Sequence, residues 1–389
     1  MRRGSPATLA GVAADALLLK ITESYMDSVS IVIPFHSDAN YLLTCLGSLE
    51  CALGESDEII VVVNNERADE ALGLDAFPRV RPIYFSQRLG FSKACNIGAR
   101  MARGNFLFFC DADTLTLTPE ILQVHRLEFE RNEKVGATSS LHLSPATGKI
   151  ADFGLGWSGY NIFHPFRGAP LSDPRLQQSR RVQMASSAHM MTPRAIFLSM
   201  GGFDEELQYH YQDTDYCARL KDLDLQVRVT PASRTFHRGS SARVNRTPFR
   251  TDDRALFTAK NTHRLVRDYA NYFNESLALW QPKATLAEFC NVAILSTIFD
   301  PRQILEPLSA VIGLRPHTEH HLIERDAGAI DLFELLGRNA AMVPDPFVFV
   351  VDAIGALRFN AIWKHLRGEQ GDIAVDRHGE LRPTRDLFE

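Results

Sequence analysis

The 389-residue sequence has no surplus of basic residues, since 42 Lys and Arg stand against 47 Asp and Glu, and its formal net charge is −5. A general nucleic-acid-binding protein needs excess cationic side chains to displace counterions from phosphates. The charge balance therefore argues against nucleic acid as a partner and favours small or uncharged partners.

Cysteine pairs with metal-site or redox spacing are also missing. No two of the cysteines form a C-x-x-C motif, and several lie within apolar stretches, where a reduced thiol packs as a small hydrophobe. The six are Cys45, Cys51, Cys95, Cys110, Cys217 and Cys290. This usage predicts a reducing, cytoplasmic location.

Long hydrophobic runs are absent, because no stretch approaches the ~18 apolar residues that a membrane-spanning helix requires. The longest runs, residues 293–299 and 347–351, suit buried helices. The leader, residues 1–27, has an apolar patch that Asp15 interrupts, so we predict a short helix rather than a signal peptide. Peripheral membrane contact through an amphipathic helix in the C-terminal third stays open.

What the sequence does contain is an alternation of β-branched runs with helix-like stretches. VSIVIPFHS from Val29, EIIVVVNN from Glu58 and NFLFFCDAD from Asn105 are nearly continuous apolar runs. Such strands, alternating with helices, indicate a mostly parallel sheet that is buried on both faces. We predict an α/β domain over residues 28–268. Residues 269–389 are predicted to be mainly helical, including a segment near 287–298, and to serve packing, acceptor or oligomer contacts.

Asp111 and Asp113 directly follow one predicted strand and precede a helix for which Thr118 is the candidate N-cap. In open α/β sheets, ligands bind at the carboxyl ends of strands. Two carboxylates one residue apart can present oxygens to one magnesium or manganese ion, which would bridge to a diphosphate. An isolated Asp-x-Asp is common in solvated turns, so the position after a strand carries this prediction.

A second acidic pair, Asp213 and Asp215, lies at a predicted helix start. A carboxylate in that place is often only a helix cap, and we assign that structural role to one of the two. Asp213 has the chemistry of a general base that accepts the proton of an attacking hydroxyl.

The motifs and their order along the chain resemble those of family 2 inverting glycosyltransferases, which have the GT-A fold. The matching segments within residues 29–268 are VSIVIPFHS, VVVNNERAD, LGFSKACNIGARMARGNFLFFCDADT, GGFDEELQYHYQDTDYCARL, TFHRGSS and KNTHRL. The resemblance implies metal-dependent transfer of a sugar, with inversion, from a nucleoside-diphosphate sugar to a hydroxyl. The cofactor would be Mn or Mg. A small molecule, a glycan and a lipid-linked compound all stay open as the acceptor, and homo-oligomerisation is open too.

The resemblance also implies roles for individual residues. Asp111 and Asp113 would form the metal motif with His237 near the cation, and Asp213 would be the catalytic base. The remaining implied residues would contact the nucleotide sugar together with Asp111. They are Pro34, which would end the first strand, Phe35, Asn64, Lys93, Asn96, Ala112, Gln212 and Arg238. Arg238 would begin a loop that resembles the family's mobile lid.

Two residues depart from the family pattern. Asn64 stands where the family usually has an Asp, so the contact to the nucleobase becomes neutral. Gln212 replaces a Glu beside Asp213, the proposed general base. These departures keep open a protein of this fold that binds sugar nucleotide or glycan without turnover. A nucleotidyltransferase is another alternative, although PFHSDANY lacks the Gly-rich phosphate loop of that class. His189 and Trp157 fall where acceptor contacts could lie, but we favour structural roles for both.

Overall fold

A computed structural model describes most of the region from residue 28 to residue 272 and five strands after it. The described residues are 28–36, 38–64, 72–157, 162–207, 210–239, 253–268, 271–272, 275, 291–295, 319–323, 347–351, 373–375 and 381–383. The predicted leader at 1–27 and the loop at 240–252 lie outside them. The chain divides into two compact units, residues 1–155 with 167–265, and residues 156–166 with 266–389.

The first unit is built on a ten-stranded mixed sheet, and a two-stranded ladder of residues 156–157 with 162–163 belongs to the second unit. The strands up to residue 237 are β1 (Val29–Phe35), β2 (Glu58–Asn64), β3 (Val80–Phe85), β4 (Phe106–Cys110), β5 (Thr114–Thr116), β6 (Val135–Leu143), β7 (Ile150–Asp152), β8 (Gly156–Trp157), β9 (Ile162–Phe163), β10 (Arg180–Val182), β11 (His189–Pro193) and β12 (Gln226–His237).

Six α-helices in the described part of the first unit flank or follow this sheet. They are α1 (Ala39–Leu49), α2 (Phe91–Met101), α3 (Ile121–Arg131), α4 (Arg194–Ser199), α5 (Gln212–Leu220) and α6 (Asp253–Asn261). Short 3-10 turns occur at Glu50–Ala52, Leu74–Ala76, Pro174–Leu176, Lys221–Leu223 and Thr262–Arg264.

The sheet order is β10-β12-β6-β11-β4-β1-β2-β3. Strands β3, β2, β1 and β4 are mutually parallel, whereas β11 runs antiparallel between β4 and β6. This confirms the predicted mostly parallel α/β sheet. Pro34 does not end β1, contrary to prediction, because the strand continues and pairs Pro34 with Val62 and Phe35 with Val63. A proline one residue from a strand end removes only one donor from the ladder.

Both faces of the sheet are covered, which is why its strands are apolar throughout. On one face, alternate residues of β1, β2 and β4 pack with buried residues of α1 and α3. On the other face, Phe109 of β4 packs against Phe197 and Phe203, with ring centroids 4.9 and 4.8 Å away. Helix α2 also lies on this face, where Gly98 closely approaches Val32.

Helix α3 begins later than the predicted cap. Its first residue is Ile121, and Glu120 precedes it without a side-chain cap. The Thr118 hydroxyl instead donates to the carbonyl of Ala232 at 3.1 Å and accepts the N–H of Arg234 at 3.0 Å. Thr118 therefore joins the segment that precedes α3 to β12. Its hydrogen-bond partners lie more than 100 positions away in the sequence.

The second unit contains a five-stranded sheet, in the order β14-β13-β15-β16-β17, whose first four strands are parallel. Its strands are β13 (Asn291–Leu295), β14 (Glu319–Ile323), β15 (Phe347–Val351), β16 (Ile373–Val375) and β17 (Leu381–Pro383). The prediction of helices near 287–298 and at 347–351 is therefore wrong for the described residues, which form the strands β13 and β15. Short apolar runs do not distinguish strand from buried helix by periodicity, and the β-branched residues of NVAIL and FVFVV favour strand.

Within the described residues, no helix is long and apolar enough to cross a membrane.

Candidate metal and catalytic site

Asp111, Asp113 and His237 meet at the carboxyl end of β4. Strand β5 pairs with the end of β12, so that His237 lies opposite Thr114 and beside the Asp-x-Asp loop. The His237 Nε2 atom is 3.5 Å from Asp111 Oδ2 and 3.4 Å from Asp113 Oδ1. One ligand atom from each of the three residues lies within 4.8 Å of the other two. The three side chains predicted to surround the cation are therefore brought together.

The chemistry of this triad fits a divalent cation. Asp111 Oδ1 is buried and makes no hydrogen bond within the described part of the chain, and such an orphaned acceptor calls for a partner. Burial lowers the pKa of His237, but the adjacent Asp111 and Asp113 carboxylates outweigh it and raise that pKa to about 10. A proton on the imidazole thus balances the two carboxylates, and a cation would take its place.

Asp213 lies in the first turn of α5, and backbone donors hold its carboxylate. Oδ2 accepts the N–H of Ser187 at 3.0 Å, and Oδ1 accepts that of Thr214 at 2.8 Å. Burial raises the pKa of Asp213 to about 6, with help from the charges of Asp111 and Asp152, while the two backbone hydrogen bonds oppose the rise. The group is therefore a carboxylate at neutral pH that accepts a proton more readily than an ordinary Asp.

A short backbone segment links Asp213 to the metal triad. Ser187 donates to Asp213, and the carbonyl of the next residue, Ala188, accepts the N–H of Asp111 at 3.0 Å. Strand β11 follows at once and pairs with β4. The turn that leads into β11 thus positions both the Asp213 carboxylate and the backbone of Asp111.

Asp215 has the structural role that one member of the acidic pair was expected to take. It is almost fully buried, pairs with Arg219 at 2.7 Å and accepts a hydrogen bond from Asn261 at 2.8 Å. One carboxylate oxygen therefore forms an ion pair within α5, and the other joins α5 to α6.

The two asparagines predicted to contact the nucleotide sugar hold loops. The Asn64 carbonyl oxygen accepts the N–H of Leu89, and its amide donates to the carbonyl of Gly90 at 3.5 Å. The Asn96 amide binds the backbone of Phe203 from both sides, at 2.8 Å each. The structure therefore shows loop contacts for both side chains.

The other implied contact residues are spread around the site. Phe35 is buried in β1, Lys93 is exposed on α2, and the exposed guanidinium of Arg238 stacks over the ring of Tyr41 at 4.7 Å. Ala112 packs partly against the core. The loop after Arg238 that was expected to act as a lid lies at 240–252, outside the described residues.

Gln212 is buried beside Asp213, and its Oε1 has no hydrogen-bond partner among the residues that the structure describes. His189 and Trp157 are both buried, with 0% and 2% of their surfaces exposed, as structural roles require.

Sequence reasoning missed the supports beneath the triad. Thr114 donates its hydroxyl proton to the carbonyl of Asp111 at 2.7 Å, and His142 packs its ring against that of His237 with centroids 5.4 Å apart. The signal was present in TSSLHL of β6, a strand whose polar residues are all buried. Polar residues in a strand without exposed positions require interior partners.

Part of the chain matches the model of a known family. Residues 30–150 match the model of glycosyl transferase family 2. Over 225 residues, the chain is 29% identical to the O-antigen biosynthesis protein RfbC of Myxococcus xanthus. That alignment covers 55% of this chain and 18% of the relative, so the chain spans less than a fifth of that protein's length.

Two solved structures are also similar, at low identity. GalNAc-T7 with UDP, GalNAc and Mn²⁺ is 15% identical, with 83% of this chain and 59% of that chain covered and a TM-score of 0.47. The mannosyltransferase PcManGT from Pyrobaculum calidifontis, in complex with GDP-Man and Mn²⁺, is 13% identical, with coverages of 70% and 88% and a TM-score of 0.41. The family match confirms the resemblance to glycosyl transferase family 2 over residues 30–150.

Proposed function

We propose that this protein is an inverting glycosyltransferase that moves a sugar from a nucleoside-diphosphate sugar to an acceptor hydroxyl and depends on a divalent cation. The observation that carries the proposal is that one backbone segment, Ser187–Ala188, hydrogen-bonds both the Asp213 carboxylate and the backbone N–H of Asp111, which belongs to the metal triad. With this arrangement, Asp213 can accept the proton of the attacking hydroxyl while a cation in the triad stabilises the leaving group. The proposed catalytic domain is residues 28–268.

The triad would hold the cation, and its donors favour manganese over magnesium. Carboxylate oxygens suit both ions, whereas an imidazole nitrogen is a better ligand for transition metals. When bound, the cation would supply Lewis acidity that neutralises the diphosphate leaving group. Asp111 Oδ2 and Asp113 Oδ1 face the His237 imidazole, and Asp111 Oδ1 has no hydrogen-bond partner among the described residues.

Asp213 would serve as the general base. The acceptor oxygen would form a bond to the anomeric carbon as the bond from that carbon to the diphosphate oxygen breaks. The hydroxyl proton would pass to the Asp213 carboxylate, and the nucleoside diphosphate would leave from the opposite face of the sugar. General-base catalysis of this kind contributes a factor of about 10² to 10⁴.

The first experiment is a thermal-shift screen of the purified full chain with UDP, GDP, dTDP and CDP sugars, each with and without Mn²⁺. A ligand that binds only the folded state raises the melting temperature. A manganese-dependent shift with one nucleotide supports the donor site and identifies its base. No shift with any of the ligands contradicts the proposal.

Product analysis then separates the alternative activities. Release of a nucleoside diphosphate, with a product of inverted anomeric configuration, supports glycosyl transfer, whereas release of pyrophosphate indicates a nucleotidyltransferase. Donor binding without transfer or hydrolysis over a broad acceptor panel would indicate a non-catalytic binding protein. The neutral Gln212 beside Asp213 is the feature that favours this last alternative.

The acceptor and the cellular location follow from the sequence only as broad classes. A small molecule, a glycan or a lipid-linked compound would each supply a hydroxyl, and an acceptor held at a bilayer would fit peripheral attachment of a cytoplasmic protein. The five cysteines within the described residues are free thiols. We propose neither a nucleic-acid partner nor a particular oligomeric state.

A further inference from the structure

Strand β6 carries an unusual set of buried polar side chains directly under the metal triad. The strand lies between β11 and β12 inside the sheet. Four of its polar residues have no exposed surface, namely Thr138, Ser139, Ser140 and His142. Burying polar groups is unfavourable unless they find partners. Each of these side chains therefore requires a partner inside the protein.

His142 contacts the metal triad through His237. It pairs with Thr235 in the parallel β6–β12 ladder, so His237 lies two residues further along and on the same face of the sheet. The two imidazole rings meet edge to face, with centroids 5.4 Å apart and planes at 77°. This contact restricts the plane in which the His237 ring can lie, and thereby the direction of its Nε2 atom.

His189 supports the other side of the triad through Thr114. The Thr114 hydroxyl gives its only proton to the carbonyl of Asp111 at 2.7 Å, so the His189 Nε2 atom, 3.1 Å from the same hydroxyl, must be the donor to it. His189 therefore carries a proton on Nε2. Its ring also meets that of His142, with centroids 6.3 Å apart and planes at 86°.

We infer that His142 and His189 are positioning residues for the cation centre: His142 orients the His237 imidazole, and His189 fixes the Asp111 backbone through Thr114. The inference rests on the metal-dependent function proposed above. Residues outside the ligand set that orient ligands typically change metal affinity by about 10- to 100-fold when they are replaced.

The test measures the dissociation constant of Mn²⁺ on the full chain, by electron paramagnetic resonance of the free ion, together with the melting temperature. We expect His142→Ala and His189→Leu to raise the Mn²⁺ dissociation constant about tenfold or more. His142→Phe retains a ring edge, and His189→Gln retains a donor near the Nε2 position, so both should bind Mn²⁺ within about threefold of the unmodified chain. If His142→Ala does not fold, His142→Leu takes its place.

His125 provides the matched control, since it is a third fully buried histidine in the same polar region. Its ring nitrogens bind the hydroxyls of Thr138, Ser140 and Ser233, at 2.8, 3.2 and 3.0 Å, and not the metal loop. His125→Leu should lower the melting temperature while leaving the Mn²⁺ dissociation constant unchanged.

The outcomes separate this inference from the proposed function. If the unmodified chain binds no Mn²⁺, the metal-dependent function fails and the inference fails with it. If the unmodified chain binds Mn²⁺ and Asp111→Asn abolishes binding, but His142→Ala and His189→Leu bind normally, the inference alone is overturned. An equal loss of affinity in His125→Leu would also overturn it, because the effect would then be one of general core packing.

Discussion

At the scale of single residues, the environment of each carboxylate separates chemistry from architecture. Asp213 and Asp215 lie in the same helical turn. Asp215 is neutralised by Arg219 and bound by Asn261, whereas the contacts of Asp213 among the described residues are to backbone N–H groups. A carboxylate without a cationic partner keeps its capacity to accept a proton. The two residues should therefore respond differently to the same substitution.

We expect Asp213→Asn to lower the turnover number by about 10² to 10⁴ while donor affinity stays within a few-fold. Initial rates at saturating donor, with donor binding measured by calorimetry, check this result. The matched control is Asp215→Asn, which should mainly lower the melting temperature because it breaks the contact with Arg219. Full turnover in Asp213→Asn would exclude this residue as the base.

The raised pKa of Asp213 also predicts a pH dependence. Since the base must be unprotonated, the rate should fall as pH drops through about 6, and by tenfold per unit well below it. The native state binds this proton more tightly than the unfolded chain, whose pKa is near 3.8, so Asp213 contributes less stability as pH rises from about 4 to 6. Asp213→Asn should therefore not lower the melting temperature at pH 7.5. A rate profile that is flat down to pH 5 would contradict the assignment.

Removal of a ligand from the triad should abolish cation dependence rather than stability. We expect Asp111→Asn to lower transfer by at least ~10²-fold, because Lewis-acid stabilisation is worth several kcal/mol. Mn²⁺ titration of activity and of the melting temperature measures the effect. A variant whose activity is restored to normal by ordinary Mn²⁺ concentrations would argue against Asp111 as a ligand.

At the scale of elements, helix α2 depends on a close approach to the sheet. A Cβ atom on Gly98 would collide with Val32 and lie 3.3 Å from Val62 Cγ2, whereas one on Gly47 of α1 would meet no atom within 4 Å. The same substitution should therefore have opposite effects in the two helices. The placement of α2 also carries Asn96, which holds the backbone of Phe203.

We expect Gly98→Ala to destabilise the protein by about 1–3 kcal/mol through overpacking. Gly47→Ala should be neutral or stabilise it by up to about 1 kcal/mol, because alanine loses less conformational entropy than glycine on entering a helix. Urea unfolding curves for the two variants provide the comparison. Similar losses in both would show that the approach of α2 to β1 is not tight.

At the scale of the whole molecule, the chain has two compact units, each with its own sheet, and all proposed site residues belong to the first. We expect calorimetric unfolding to show two transitions. Mn²⁺ with the matching nucleotide sugar should raise only one of them, because ligand binding stabilises the unit that holds the site. A single transition that shifts as a whole would contradict this expectation.

Local sequence pattern determined the parts of this protein that depend on local forces. Continuous β-branched runs specify β1, β2 and β4 because such side chains suit a sheet buried on both faces. The position of Asp111 and Asp113 just after a strand follows from that assignment, and the fixed order of motifs pointed to the family that the match over residues 30–150 confirms. The roles of individual site residues stay predictions.

Only the tertiary structure decided which polar groups are already engaged, since their partners lie far away in the sequence. Thr118 binds β12 instead of capping α3, Asn96 holds a loop over 100 residues later, and His142 meets His237 across the β6–β12 ladder. The prediction of helices at β13 and β15 is wrong because runs of four or five apolar residues carry no distinguishing period. Hydrogen-bond partners and strand neighbours are set by the packing of distant segments, and a linear pattern does not contain that information.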